Sequence, residues 1–164
     1  MNDSTPISAA RQYLWNNWDE GVKCPCCTQH VQRYRRLLNA GMARALIIMY
    51  QIQKNREKGA WIRVADELTK RKINAANTEY SKLAYWELIE EKKNTDDPTK
   101  KNSGSWRVTE SGIKFVENQQ RISKYVYMFN AKRHGASKEL ISIEEALGKK
   151  FNYAELMRRP NQGQ

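Results

Sequence analysis

No stretch of this 164-residue chain reaches the roughly 18 consecutive apolar residues that a membrane-spanning helix needs, so a helical span is excluded. Histidine is scarce, at two residues, which leaves acid–base chemistry near neutral pH few candidates. Cysteine is confined to Cys24, Cys26 and Cys27. Three thiols within four residues and none elsewhere cannot build a disulfide framework, and in a cytosolic chain such clustering points to metal. Catalytic motifs are also missing. Gly148-Lys149-Lys150 lacks the upstream glycine frame of a phosphate-binding loop, and there is no His-Glu-x-x-His and no Gly-x-Ser-x-Gly. Glu90, Glu91, Asp96 and Asp97 lie among lysines, as solvated charges do. The chain reads as a binding protein and not as an enzyme. Acidic residues are in deficit too, 18 against 29 Lys and Arg, for a formal net charge of +11.

What is present is enough for a core. Hydrophobic residues make up 40%, with five Trp and eight Tyr among them, so a globular domain with decoration is expected and wholesale disorder is not. The positive balance favours a polyanionic partner, because phosphate contacts release condensed counterions. Met1 to Ala10 lacks the basic start and apolar stretch of a secretory signal, which suggests a soluble, cytoplasmic protein.

Along the chain, residues 1 to 22 read as a polar tail followed by packing aromatics, Tyr13, Leu14, Trp15 and Trp18. Val31, Tyr34, Leu37 and Leu38 recur at helical spacing among Gln32, Arg33, Arg35 and Arg36, predicting an amphipathic helix with a basic outer face. Met42 to Ile52 is apolar nearly all round, as expected of a central buried helix. Trp61 to Val64 alternates like a short strand, and Ala65 to Lys70 makes a short helix. A longer helix is expected from Asn74 to about Tyr85, with Ile73, Ala76, Tyr80, Leu83 and Ala84 on one side and Asn74, Thr78, Ser81, Lys82 and Tyr85 on the other. Trp86 to Glu90 and Trp106 to Val108 read as a hairpin whose mobile tip carries Lys92, Lys93, Lys100 and Lys101. Thr109 is placed to cap a helix from Glu110 through Val116. Ile122 to Phe129 alternates as one strand, and Ala131 to Ser137 is a basic loop. Ser142 and Glu145 have capping-box spacing for a helix to Leu147, Gly148 closes it, and Asn152 starts a further turn through Met157. Arg158 to Gln164 reads as a polar tail.

Trp61-Ile62 before the second helix, Tyr85-Trp86-Glu87-Leu88-Ile89 after the third, and Trp106-Arg107-Val108-Thr109-Glu110-Ser111-Gly112 closing the hairpin resemble winged helix-turn-helix domains of bacterial regulator type, over residues 40 to 119. The cysteine segment ahead of that region and the tail Ile143-Glu144-Glu145-Ala146-Leu147 with Phe151 to Met157 resemble uncharacterised bacteriophage proteins, a likeness that implies a phage origin and a place in the bacterial host cell, and that names no activity. The expected fold class is α+β, mainly helical. It comprises an N-terminal extension over residues 1–39, the winged helix over 40–119, and a C-terminal strand with short helices over 120–164.

On this reading Arg71, Asn74, Asn77, Thr78, Ser81 and Lys82 face the major groove of double-stranded DNA, where Asn reads adenine, Lys guanine, and Ser or Thr several bases. Lys100, Lys101 and Arg107 on the wing grip phosphate or the adjacent minor groove, fixing register without reading sequence. The competing expectation is an interaction module that uses the same fold and basic surface to inhibit or redirect a host protein. A homodimer is compatible with either.

Cys24-Pro25-Cys26-Cys27 contains a C-P-x-C knuckle, in which proline and a tight turn aim two thiolates, Cys24 and Cys27, at one ion. A structural zinc takes four ligands. His30 and then Cys26 or His134 complete the expected set, or the metal is shared between two chains. Bound there, zinc would pin the N-terminal segment onto the domain.

Overall fold

The computed structural model describes Asn2 and residues 4–158. Helices and short antiparallel strands are mixed along the chain: α1 (Ile7–Asn17), β1 (Val22–Lys23), β2 (His30–Val31), β3 (Tyr34–Leu37), α2 (Ala40–Lys54), α3 (Val64–Lys70), α4 (Ala75–Thr78), a 3-10 segment (Tyr80–Trp86), β4 (Ile89–Glu91), β5 (Trp106–Val108), α5 (Glu110–Val116), β6 (Ile122–Ser123), β7 (Tyr125–Phe129), β8 (Lys132–Ala136), β9 (Leu140–Ile141), α6 (Ile143–Leu147) and α7 (Tyr153–Arg158). Among the described residues no helix is long and apolar enough to cross a membrane. The three consecutive segments expected from the sequence are regrouped into two compact units. One is built from residues 1–37 and 125–137, the other from 38–124 and 138–164.

The larger unit is organised around α2. Asn39 caps it by accepting the Met42 amide at 2.9 Å, a contact worth about 1 kcal/mol. Met42, Ala43, Ala45, Leu46, Ile47, Met49, Tyr50 and Ile52 are all buried, as the unbroken apolar character of this segment predicts. The 3-10 segment, β5, α5, α6 and α7 pack around it. Each fully buried Leu or Ile contributes roughly 1.5–3 kcal/mol of transfer free energy. The order from α2 through α5 places a single antiparallel bridge, Ile62 to Trp106, between α2 and α3. The rest of the predicted strand at 61–64 is absent, because Val64 already opens α3. Strands β4 and β5 pair with Ile89 opposite Val108, and the strand expected from Trp86 begins only at Ile89 because Trp86 ends the 3-10 segment. Three predicted caps are formed as expected: Thr109 accepts from Gly112, Ser142 from Glu145 and Asn152 from Glu155.

In the smaller unit the helix expected around Val31 to Leu38 is replaced by β2 and β3. β3 gains its ladder from β7, with Arg35 opposite Tyr127 and Leu37 opposite Tyr125, and β8 completes a three-stranded sheet in the order β3-β7-β8. That partner lies about 90 residues along the chain, so no local periodicity could reveal it. The single strand expected over 122–129 divides at Lys124, so that β6 pairs with β9 in the larger unit and β7 enters this sheet. The expected basic loop at 131–137 is strand β8. It follows a two-residue turn in which Asn130 and Ala131 both take positive φ, 50° and 58°. Asn tolerates that conformation, whereas Ala pays about 1 kcal/mol for it, and the pair lacks the Asn-Gly signature of such turns. In the N-terminal stretch expected as a polar tail with packing aromatics, Ile7–Asn17 is likewise helix α1. Residues 159–164, most of the expected C-terminal tail, lie outside the described residues.

Candidate nucleic-acid interface

Two turns position the polar residues of the larger unit. After α3 the chain reverses through Arg71, Lys72 and Ile73, with Lys72 at φ 59° and the Ile73 amide returned to the Leu68 carbonyl at 2.9 Å. Asn74 then caps α4, accepting from the Ala76 amide at 3.0 Å. The expected long helix from Asn74 to Tyr85 is broken after a single turn. Glu79 takes a left-handed conformation, φ 53°, and the chain continues as the 3-10 segment. Thr78 makes the break: its hydroxyl donates to the Ala75 carbonyl at 2.7 Å and accepts from the Tyr80 amide at 3.3 Å. A β-branched hydroxyl residue that satisfies local backbone groups competes with helix continuation.

That break redistributes the residues expected to read bases. Thr78 is 7% exposed and turned to the backbone, so it is removed from the set. Arg71 is also removed, because its side chain is only 9% exposed and pairs with Glu67 at 3.0 Å. Asn74, Asn77 and Ser81 are exposed, and Lys82 lies over the Tyr85 ring, 5.6 Å from its centroid. On the hairpin, Lys100 and Lys101 are exposed, but Arg107 is occupied. Its guanidinium sits 4.3 Å from the Trp61 centroid, pairs with Glu90 and donates to the Gly59 carbonyl. The expected mobile tip is closed by hydrogen bonds. Asn94 donates to the Asp97 and Lys100 carbonyls, and Thr99 bonds to Asp97, which holds the Asp97 carboxyl below its ordinary value through the Thr99 hydroxyl and amide.

Three cations outside the expected set gather beside Asn74 and Asn77. A cavity of about 320 Å³ is lined by Arg44 from α2, Lys72 from the turn, and Lys150, together with Asn74, Asn77 and Phe151, and no acidic side chain lines it. Arg44 lies over the Phe151 ring at 4.9 Å. An adjoining depression of about 200 Å³ shares Arg44, Lys150 and Phe151 and adds Glu155. One signal for Arg44 was available in the sequence, since it is the only charged residue between Met42 and Ile52. Nothing local marks Lys72 or Lys150 out from other surface lysines.

The cysteines lie in the smaller unit, in the turn joining β1 to β2. The Cys24 amide donates to the Gln29 carbonyl at 2.8 Å and the Cys24 carbonyl accepts from Thr28 at 2.9 Å. The amides of Cys27 and Cys26 point at the Cys24 sulfur and hold its thiol below the ordinary value, a pattern suited to a thiolate. The expected histidine ligands are engaged otherwise: His30 Nε2 lies 3.1 Å from Gln32 Oε1, and His134 packs edge-on against Trp18 and Phe129. Among the described residues, no group of three or more His, Cys, Asp or Glu side chains is arranged to hold a metal ion.

Comparison with known proteins adds no family to this description: no family model, no curated protein and no solved structure matches the chain.

Proposed function

We propose that the larger unit is a winged helix that binds double-stranded DNA, and that the protein acts by binding and not by catalysis. The observation that carries this reading is the convergence of Arg44, Lys72 and Lys150, from three separate segments, on one acid-free cavity beside the exposed Asn74 and Asn77. The element order supports it: a buried helix, a bridge at Ile62, two short helices and a basic hairpin. With α4 only one turn long, base contacts fall to Asn74, Asn77 and Ser81, while phosphate contacts fall to the three cations and the hairpin lysines. Strong anchoring and modest sequence preference follow. A role in transcription regulation or as an architectural or replication accessory, of bacteriophage origin, fits such a binder.

The test is duplex affinity measured by fluorescence anisotropy across salt. Affinity is expected to fall steeply with salt, and Arg44→Ala, Lys72→Ala and Lys150→Ala should each reduce the log–log slope by about 1, uniformly across sequences. Asn77→Ala should instead flatten sequence preference. If no duplex binds at low salt, or if the three variants leave the slope unchanged, the DNA reading falls and the host-protein reading takes its place.

A structural zinc on the cysteine turn is a separate proposal. One C-P-x-C turn supplies Cys24 and Cys27, half of a four-thiolate set, and two copies of the chain supply a whole one. Metal analysis of the purified protein should then give about half a zinc per chain, together with a dimer that chelation dissociates. Zinc-free protein would end this proposal and leave the DNA reading untouched.

A further inference from the structure

The sheet of the smaller unit carries an arrangement that duplex binding does not use. Tyr125, Tyr127 and Phe129 alternate with buried Val126 and Met128 along β7, so their three rings share one face. Two arginines from the neighbouring strand side, Arg33 and Arg35, lie over rings of that face. The Arg33 guanidinium is 4.5 Å from the Tyr127 centroid and 5.3 Å from that of Trp18, and Arg35 is 4.2 Å from Tyr125. Gly135 lies beside this stack with φ +117°, a backbone conformation that favours glycine, and its space is not crowded: a Cβ there would make ordinary contacts, 3.5 Å from the Tyr127 ring and 3.7 Å from an Arg33 nitrogen.

The two ends of the face differ. At one end Trp18, Phe129 and His134 pack on each other, and Arg33 is tied to Asp19 at 2.7 Å and to the His134 carbonyl at 3.1 Å. Those contacts knit that end together, with Trp18, Phe129 and Arg33 half-buried and His134 exposed. At the other end Arg35 is exposed, and beside it Leu37 is 45% exposed. The register places Arg35 and Lys132 on the ring face, opposite Tyr127 and Phe129, whereas Arg36 and Arg133 pair with Val126 and Met128 and belong to the other face; the three strands hold no acidic residue.

We infer that this face of the sheet, Tyr125 and Tyr127 with the Arg35 and Arg33 guanidinium groups over their respective rings, is a stacking platform for the bases of single-stranded nucleic acid. Guanidinium planes and aromatic rings both accept a stacked base, and cationic strands supply phosphate contacts alongside. The spacing selects an unpaired strand. Residues two apart on a strand are about 6.8 Å apart, roughly twice the 3.4 Å rise per nucleotide of one duplex strand. Consecutive rings therefore suit an extended chain whose bases have come apart, and not a stacked duplex. An acidic peptide would satisfy the charges but leave the ring planes without a matching partner.

The experiment uses the full chain and a fluorescently labelled oligothymidylate at low salt, with unlabelled duplex as competitor. The wild-type protein should bind it, and Tyr125→Ala should weaken binding about 5- to 150-fold, the measured range for losing one stacked base. Tyr125→Phe should stay within about twofold, because stacking needs the ring and not the hydroxyl. Arg35→Ala, at an exposed position whose loss does not threaten folding, should weaken binding as well. The combined Arg44, Lys72 and Lys150 alanine variant should keep single-strand binding. The inference is overturned if the oligothymidylate does not bind, if Arg35→Ala binds like the wild type, or if Tyr125→Phe falls as far as Tyr125→Ala. It is also overturned if single-strand binding disappears with the three cavity cations, which would place it in the other unit.

Discussion

Replacing Gly112 by alanine is expected to destabilise the larger unit by about 3 kcal/mol or more, the upper range for a forced overlap. Gly112 stands in the first turn of α5, where its amide donates to the Thr109 hydroxyl at 3.1 Å. That turn is pinned to the two residues just ahead of β4. The Thr109 amide bonds to the Leu88 carbonyl at 3.0 Å, and the Thr109 hydroxyl bonds to the Glu87 carbonyl at 2.6 Å. A Cβ on Gly112 would land on the Leu88 carbonyl oxygen and 2.6 Å from a Val108 methyl. The first is backbone already committed to a hydrogen bond. α5 cannot withdraw either, since Phe115 and Val116 are fully buried beyond it. Thermal unfolding should show a midpoint lower by on the order of 10 °C, while Lys114→Ala, at a half-exposed position of the same helix, should change little. An alanine variant as stable as the wild type would contradict the close approach.

Glu67→Ala should cost about 3 kcal/mol, as breaking a buried ion pair does. The Glu67 side chain is 10% exposed and receives Arg56 at 3.0 Å, Lys70 at 3.2 Å and Arg71 at 3.0 Å. Burial pushes its carboxyl upward, but hydrogen bonds from Arg71 and Lys70, the Lys70 charge and Arg56 together outweigh that and hold it below its ordinary value. The sign follows from the lowered value. The carboxylate's contribution is complete above the unfolded value, near 4.3, and is lost as pH falls through the lower folded one. Stability measured against pH should show a gap between wild type and Glu67→Gln that is constant above about pH 5 and narrows as the carboxyl protonates below it. A gap that persists unchanged to the lowest pH would show that the charge is not what matters. The substitution also removes the carboxylate partner of Arg71, which keeps its bond to the residue 67 carbonyl, so stronger duplex binding by Glu67→Ala at low salt would show that the ion pair withholds a usable cation.

Much of the larger unit was legible because its signals are local. Nine of the eleven residues from Met42 to Ile52 are apolar, and a segment that apolar has nowhere to go but the core. Thr109, Ser142 and Asn152 announce helix starts through side chains that reach only three residues along the chain. The expected third helix breaks for a related reason. Its face pattern is genuinely helical, but Thr78 can satisfy the backbone on both sides of Glu79, and periodicity does not record that competition.

The candidate site was legible only in part. Asn74, Asn77 and Ser81 are exposed where the pattern put them, whereas Arg71, Thr78 and Arg107 carry the right chemistry and spend it on Glu67, on backbone and on Trp61. A charged or hydroxyl side chain is available to a ligand only if no neighbour in space has engaged it first, and neighbours in space are not neighbours in sequence.

By itself the sequence determined the apolar centre, the helix caps, the positive balance and the thiol cluster, since each depends on composition or on contacts a few residues long. Only the tertiary structure decided that Tyr34–Leu37 is a strand, that Arg44, Lys72 and Lys150 share a cavity, and that Arg33 and Arg35 stack on the tyrosines of β7. Those arrangements join segments some 30 to 100 residues apart, and the ladder, the charge cluster and the stacks exist only once the chain has closed those loops.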